Sequence, residues 1–129
     1  PAKLDHLANL LPSRLTAVLM LLSAGRLDLL AKTFRHGRRH LSPNSGYPEA
    51  ALALILGCRF GGPHDYFGEV VDKPFIGEED RPLTDDDLQR ALTVTRRTEL
   101  LALVVSLVVR ALILLGLSLL FLVLLFSLG

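Results

Sequence analysis

From Leu100 to Leu128 the chain carries one formal charge, Arg110, in a run dominated by leucine and valine. At ~1.5 Å per residue this run would extend ~43 Å as a helix, more than the ~30 Å of a bilayer's hydrocarbon core. A transmembrane helix is therefore expected over 100–128. Two placements accommodate its charge. Arg110 snorkels to the near interface and Ala111 to Leu128 spans, or Arg110 lies deep against a protein partner or a polar cavity. The first is preferred. It puts Arg96, Arg97 and Arg110 on the side of Arg35, Arg38 and Arg39, and by the positive-inside rule that side is the cytoplasm.

The rest of the chain is consistent with a membrane setting. Half of the 129 residues are hydrophobic, and the mean hydropathy is +0.44. The length allows one domain at most. A net charge of +1 with no sustained basic stripe argues against nucleic-acid binding. Cys58 is the only cysteine, so no intrachain disulfide can form and a reducing compartment fits. The first residue is Pro1, and no basic-then-apolar leader opens the sequence. The chain is expected to be a piece of a longer protein, or one subunit of an assembly.

Ahead of the span, Leu4, Leu7, Leu10 and Leu11 recur at helical spacing, with Asp5 and Asn9 four apart on another face. Pro12 is expected to break or kink this helix, and Ser13 to cap a second one through Leu15 to Ala24. That stretch is too short to span a membrane alone, so a re-entrant, interfacial or protein-packed helix fits better. Asp28 and Lys32 are spaced to pair on a helix surface. The organisation expected is apolar helices over 1–34, a polar segment over 35–82, an amphipathic helix over 83–99 and the span over 100–128.

The polar segment holds most of the residues that chemistry uses. Its basic cluster reads either as a juxtamembrane patch touching anionic lipid or as a clamp for an anionic substrate, because guanidinium groups grip phosphate bidentately. Ser42 to Glu49 is a turn entering a helix, with Pro48 and Glu49 suited to its first turn. Gly57, Gly61, Gly62 and Pro63 are expected to stop it. Glu69 and Asp72 are three apart. If helical, they share a face and can bind Mg²⁺ or place a base; otherwise they are solvated acids. Thr84 is the expected N-cap of the next helix, with Asp87 in the reciprocal capping-box position.

In Ser42-Pro43-Asn44-Ser45-Gly46-Tyr47-Pro48-Glu49-Ala50-Ala51 the sequence resembles the CobD/CbiB family of cobalamin biosynthesis. The likeness continues in order through Leu4-Asp5, Asn9, Pro12, Arg14-Leu15-Thr16, His36-Gly37-Arg38-Arg39-His40, Gly61-Gly62-Pro63, Tyr66-Phe67-Gly68-Glu69, Lys73-Pro74-Phe75-Ile76-Gly77 and Pro82-Leu83-Thr84. Each piece is weak alone, and the ordered succession is specific. Tyr47 stands where the family often has tryptophan, and His36 where it usually has aspartate, so no carboxylate role carries over there. Family members are longer, with further transmembrane helices ahead of the matched part.

The resemblance implies an all-α, multi-pass integral-membrane protein of the cell membrane, with a polar helix-and-turn segment at the cytoplasmic face. It implies an adenosylcobinamide-phosphate synthase, which joins aminopropanol or its phosphate to a propionate carboxyl of adenosylcobyric acid with ATP and Mg²⁺. Carboxyl activation and amine attack need cations for phosphate, Mg²⁺ ligands and a base. Arg38, Arg39 and Lys73 are candidates for phosphate. Glu49, Glu69 and Asp72 are candidates for Mg²⁺ or the base, with Glu69 and Asp72 the expected metal pair. Asn44 is placed to hydrogen-bond a corrin amide and His40 to shuttle a proton. No G-x-x-x-x-G-K-[ST] loop is present, so a nucleotide would bind without a Walker-type cradle. Glycines 61 and 62 would let a substrate approach the backbone, or only stop a helix. The expected partners are the corrinoid, aminopropanol or its phosphate, membrane lipid, and helices from a missing N-terminal region or another subunit. The competing reading is a non-catalytic membrane subunit that binds corrinoid or scaffolds other enzymes. A transporter segment fits less well, since only Arg110 is polar within the span.

Overall fold

The computed structural model describes residues 2–42 and 44–129. Its elements run α1 (Ala2–Ser23), a short 3-10 turn at Leu27–Leu29, α2 (Leu30–Gly37), α3 (Gly46–Leu56), β1 (Arg59–Phe60), β2 (His64–Tyr66), β3 (Glu69–Val71), β4 (Ile76–Gly77) and α4 (Asp85–Leu128).

The helix expected to break or kink at Pro12 runs through it unbroken. Proline removes one ladder hydrogen bond, the one to the Ala8 carbonyl, and side chains nearby bond other carbonyls of the same turns. Ser13 Oγ and Arg14 Nη1 both donate to the Leu10 carbonyl, at 3.1 and 2.7 Å. Thr16 Oγ1 donates to the Pro12 carbonyl at 2.8 Å. Ser13 is thus spent inside α1 and caps no second helix. Asn9 Nδ2 reaches Asp5 Oδ1 at 3.2 Å, as the spacing implies.

The core is where α1, α3 and the first turns of α4 meet. Ala17, Met20 and Leu21 of α1 bury against Tyr47, Ala51, Leu54 and Ile55 of α3 and Val94 of α4. Ala17, Ala50, Ala51 and Ala53 are fully buried, and these small side chains let the helices approach closely. Ser23 and Thr98 hydroxyls meet at 3.0 Å across the α1–α4 contact. Gly57 ends α3 in the left-handed conformation, with φ +68°. Arg81 then donates to the Leu56 and Gly57 carbonyls at 2.8 and 2.7 Å, and Arg90 to that of Ile55 at 3.1 Å. Those carbonyls would otherwise have no intrahelical partner.

Thr84 caps α4 and forms the expected capping box with Asp87. Asp87 also accepts two hydrogen bonds from Arg81, at 2.6 and 2.8 Å. This fork, with the Thr84 N–H beside it, holds the buried Asp87 carboxyl far below the usual carboxylate range. The expected amphipathic helix over 83–99 and span over 100–128 are one element. α4 has 44 residues, about 66 Å at ~1.5 Å each. Beyond Ala102 nearly every side chain is exposed. α4 is the one helix among the described residues long and apolar enough to cross a membrane.

The polar segment departs from the all-α expectation. β1 pairs antiparallel with β4, and nested within that ladder β2 pairs antiparallel with β3. Phe67 and Gly68 turn the inner hairpin with φ +53° and +86°, the sense of turn that matches strand twist. Val70 and Val71 supply β-branched side chains to the return strand. Gly61 and Gly62 do not end α3, which stops at Gly57. A Cβ on Gly62 would collide with the Phe75 ring, so glycine there lets the two legs of the outer ladder close.

Candidate active site

The turn between α2 and α3 brings His40 onto α3. Its Nε2 lies 3.0 Å from Glu49 Oε2, both side chains being partly exposed, at 24% and 32%. On the other edge of the ring, the Ser42 backbone N–H donates to Nδ1 at 2.8 Å, with Ser45 Oγ at 3.2 Å and the Ser42 carbonyl at 3.2 Å. The close approach is possible because residue 46 is glycine. A Cβ there would lie 2.5 Å from His40 Cβ and collide with the Gly37 carbonyl.

His40 and Glu49 open onto a cleft of about 360 Å³, also lined by Leu41, Gly61, His64, Lys73 and Pro74. The nested strands deliver its far wall. Residues paired across an antiparallel ladder share a face, so His64, Val71, Tyr66 and Glu69 lie on one side of the hairpin. Lys73 Nζ lies 5.0 Å from the Tyr66 ring centroid and donates to its hydroxyl at 3.1 Å. The cleft therefore sets a carboxylate–imidazole pair opposite an ammonium and a second imidazole.

Of the residues expected to act together, the structure gathers Glu49, His40 and Lys73. Glu69 lies on the hairpin, sharing a face with His64 and Tyr66. Asp72 follows β3 and is exposed. The helical premise that put Glu69 and Asp72 on one face is corrected. Residues three apart in an extended chain lie about 10 Å apart, on opposite faces. Among the described residues no three His, Cys, Asp or Glu side chains gather to hold a metal. Arg38 and Arg39 are exposed on the turn before His40 and do not line the cleft. Asn44 is half-buried in the turn that leads to α3. His64 was not singled out from sequence. The signal available was its alternation with Tyr66, masked by the acids around it.

Other chemistry-bearing residues hold the scaffold. His36 is buried at the end of α2, where its Nδ1 accepts the Gly77 N–H at 3.3 Å. Burial, with the Arg39 charge beside it, lowers its proton affinity. Arg14 lies 4.3 Å above the Tyr47 ring and donates to its hydroxyl at 3.1 Å. Asp28 pairs with Arg26 at 2.9 Å and Lys32 with Glu78 at 3.0 Å, in place of the expected Asp28–Lys32 pair. A groove of about 410 Å³ at the far end of α3 contains Arg26, Lys32, Glu78, Glu79 and Arg90. Arg26, Lys32, Glu78 and Arg90 are already engaged in the pairs and the cap described above, so little of its charge is left to meet a ligand.

The family model described as CobD/Cbib protein matches residues 1–95. A protein of Streptococcus sanguinis named cobalamin biosynthesis protein CobD is 46% identical over 98 residues, 72% of this chain and 31% of the relative. A Citrobacter koseri protein of the same name is 40% identical over 117 residues, 87% of this chain and 37% of its own length. A Salmonella arizonae protein named cobalamin biosynthesis protein CbiB is 40% identical over 114 residues, 84% and 36% of the two chains. No solved structure matches. The chain spans about a third of the length of these curated relatives. With most of its helical core and the whole cleft inside the matched region, the chain belongs to the CobD/Cbib family.

Proposed function

We propose that the chain serves cobalamin biosynthesis as part of a membrane-bound ligase that joins aminopropanol or its phosphate to adenosylcobyric acid at the expense of ATP. The relatives' names support the pathway, and the cleft supports the reaction class. The observation that carries the proposal is the meeting of Glu49 and His40 with Lys73 and His64 around one cavity.

In this reading the corrinoid propionate is activated as an acyl phosphate, and the amine then displaces phosphate. Lys73 and His64 hold the phosphate against the far wall, and Arg38 and Arg39 steer anions toward the mouth. The proton released as the amide forms is taken at the Glu49–His40 pair. Asn44 hydrogen-bonds a corrin amide. Mg²⁺, when bound, neutralises phosphate charge, but the described residues alone do not build its site, so it would arrive on the nucleotide. The exposed leucines of α1 and the length of the relatives favour further transmembrane helices around this part, with the polar segment at the cytoplasmic face. The same length favours, as a second reading, a non-catalytic membrane part that binds corrinoid or scaffolds the biosynthetic enzymes.

The test is ATP-dependent conversion of adenosylcobyric acid to its amide in detergent, with this chain and with the complete gene product. The Glu49→Gln variant of an active preparation is expected to lose about 100-fold or more in turnover while keeping its helical content. Unchanged turnover removes Glu49 from the mechanism. Corrinoid binding without turnover by either protein favours the second reading.

A further inference from the structure

We propose that Glu49 is the group that takes the amine's proton, and that His40 is a positioning residue that holds Glu49 rather than a proton shuttle. The inference rests on the ligase reading above and divides roles within that site.

The argument is one of donors and acceptors. The Ser42 backbone N–H lies 2.8 Å from His40 Nδ1 and can only donate. Ser45 Oγ, at 3.2 Å, can donate as well. The Ser42 carbonyl is also 3.2 Å from Nδ1, but a proton on Nδ1 directed at it would face the closer N–H. Nδ1 is therefore an acceptor, and the neutral ring carries its proton on Nε2. Nε2 lies 3.0 Å from Glu49 Oε2. Both ring nitrogens are engaged within the protein, leaving no lone pair on the ring for substrate.

Glu49 is differently placed. Oε2 lies against the His40 ring at 3.0 Å, while Oε1 has no partner among the described residues, and the side chain lines the cleft. The carboxylate is held at one oxygen and open at the other, as a positioned base requires. In the step assigned to it, the amine lone pair forms the C–N bond. The acyl–oxygen bond breaks with its electrons leaving on phosphate, and the surplus proton on nitrogen passes to Glu49 Oε1. His40 Nε2–H stabilises the carboxylate beforehand and fixes its direction.

The experiment separates a positioning ring from a relay. Glutamine places an N–H where Nε2–H stands but cannot carry a proton through. In the complete gene product in detergent, His40→Gln is expected to keep kcat within about tenfold of wild type. His40→Ala is expected to fall further, and Glu49→Gln furthest, by about 100-fold or more. His40→Gln as inactive as His40→Ala, in folded protein, overturns the roles. Nitrogen NMR of the imidazole needs no turnover: a proton on Nε2 and a bare Nδ1 are expected, and a proton on Nδ1 overturns the proposal without touching the ligase reading. A wild-type protein that binds corrinoid yet never turns over overturns the ligase reading itself, and the roles with it.

Discussion

At the scale of single residues, the cleft depends on a side chain that is absent. Gly46 lets His40 lie against the start of α3. Gly46→Ala is expected to push His40 off Glu49 and to destabilise the protein by ~1–3 kcal/mol through overpacking. Thermal unfolding would show the loss, and the His40 ring resonances would show the displacement. Two titrating groups give a pH signature. The folded state lowers the His36 pKa, chiefly by burial, so between that value and about 6.5 the unfolded chain binds more protons. The His36 contribution is present above about pH 6.5 and lost as pH falls through the folded value. Protonation also removes the acceptor that Gly77 N–H uses. Exchange of the Gly77 amide, corrected for intrinsic rate, should therefore speed up first on acidification. Asp87, lowered by Arg81, keeps its contribution until below about pH 4, so the α3–α4 junction should give way later. Loss of both contacts together, or in reverse order, would contradict this assignment.

Elements differ in how far local residues determine them. The start of α4 was legible because a capping box is local chemistry: Thr84 and Asp87 need only each other. The end of α3 at Gly57 was legible for the same reason. Three features were not. Pro12 ends no helix: α1 continues through it at the loss of one ladder bond, which residue type alone does not announce. The hairpin hid behind acids whose spacing also suits a helix, and only pairing between β1 and β4, distant in sequence, sets it. Lys32 chose Glu78 over Asp28 because α2 and the chain after β4 meet in space. In the cleft, Glu49, His40 and Lys73 were legible as residue types. The partnership with His64 needed the fold. At this scale α4 invites a direct test. Leu114→Arg places a second charge in the apolar run, at roughly 2.5–3.5 kcal/mol against insertion near a span's centre. The variant should become extractable by alkaline carbonate, while wild type stays in the membrane pellet. Equal retention would argue that α4 is not held by lipid.

Across the whole molecule, the packed core occupies one end, and the long exposed stretch of α4 extends from it. α1 presents Leu4, Leu7, Leu11, Leu15 and Leu22 to the outside, an apolar surface suited to the further helices proposed above. What joins the two ends has its own consequence. No loop, glycine pair or proline interrupts α4 between its cap at Thr84 and Leu128, and Gly116 is its only glycine. Ser23 and the buried Val94 and Thr98 clamp its upper turns to the core. The span is a mast fixed to its deck. Bilayers of different thickness make such a helix lean by different amounts, and the deck must lean with it. With α4 seated in lipid, the mouth of the cleft would thereby be aimed by the bilayer, and lipid chain length would set the angle at which the proposed substrate meets it.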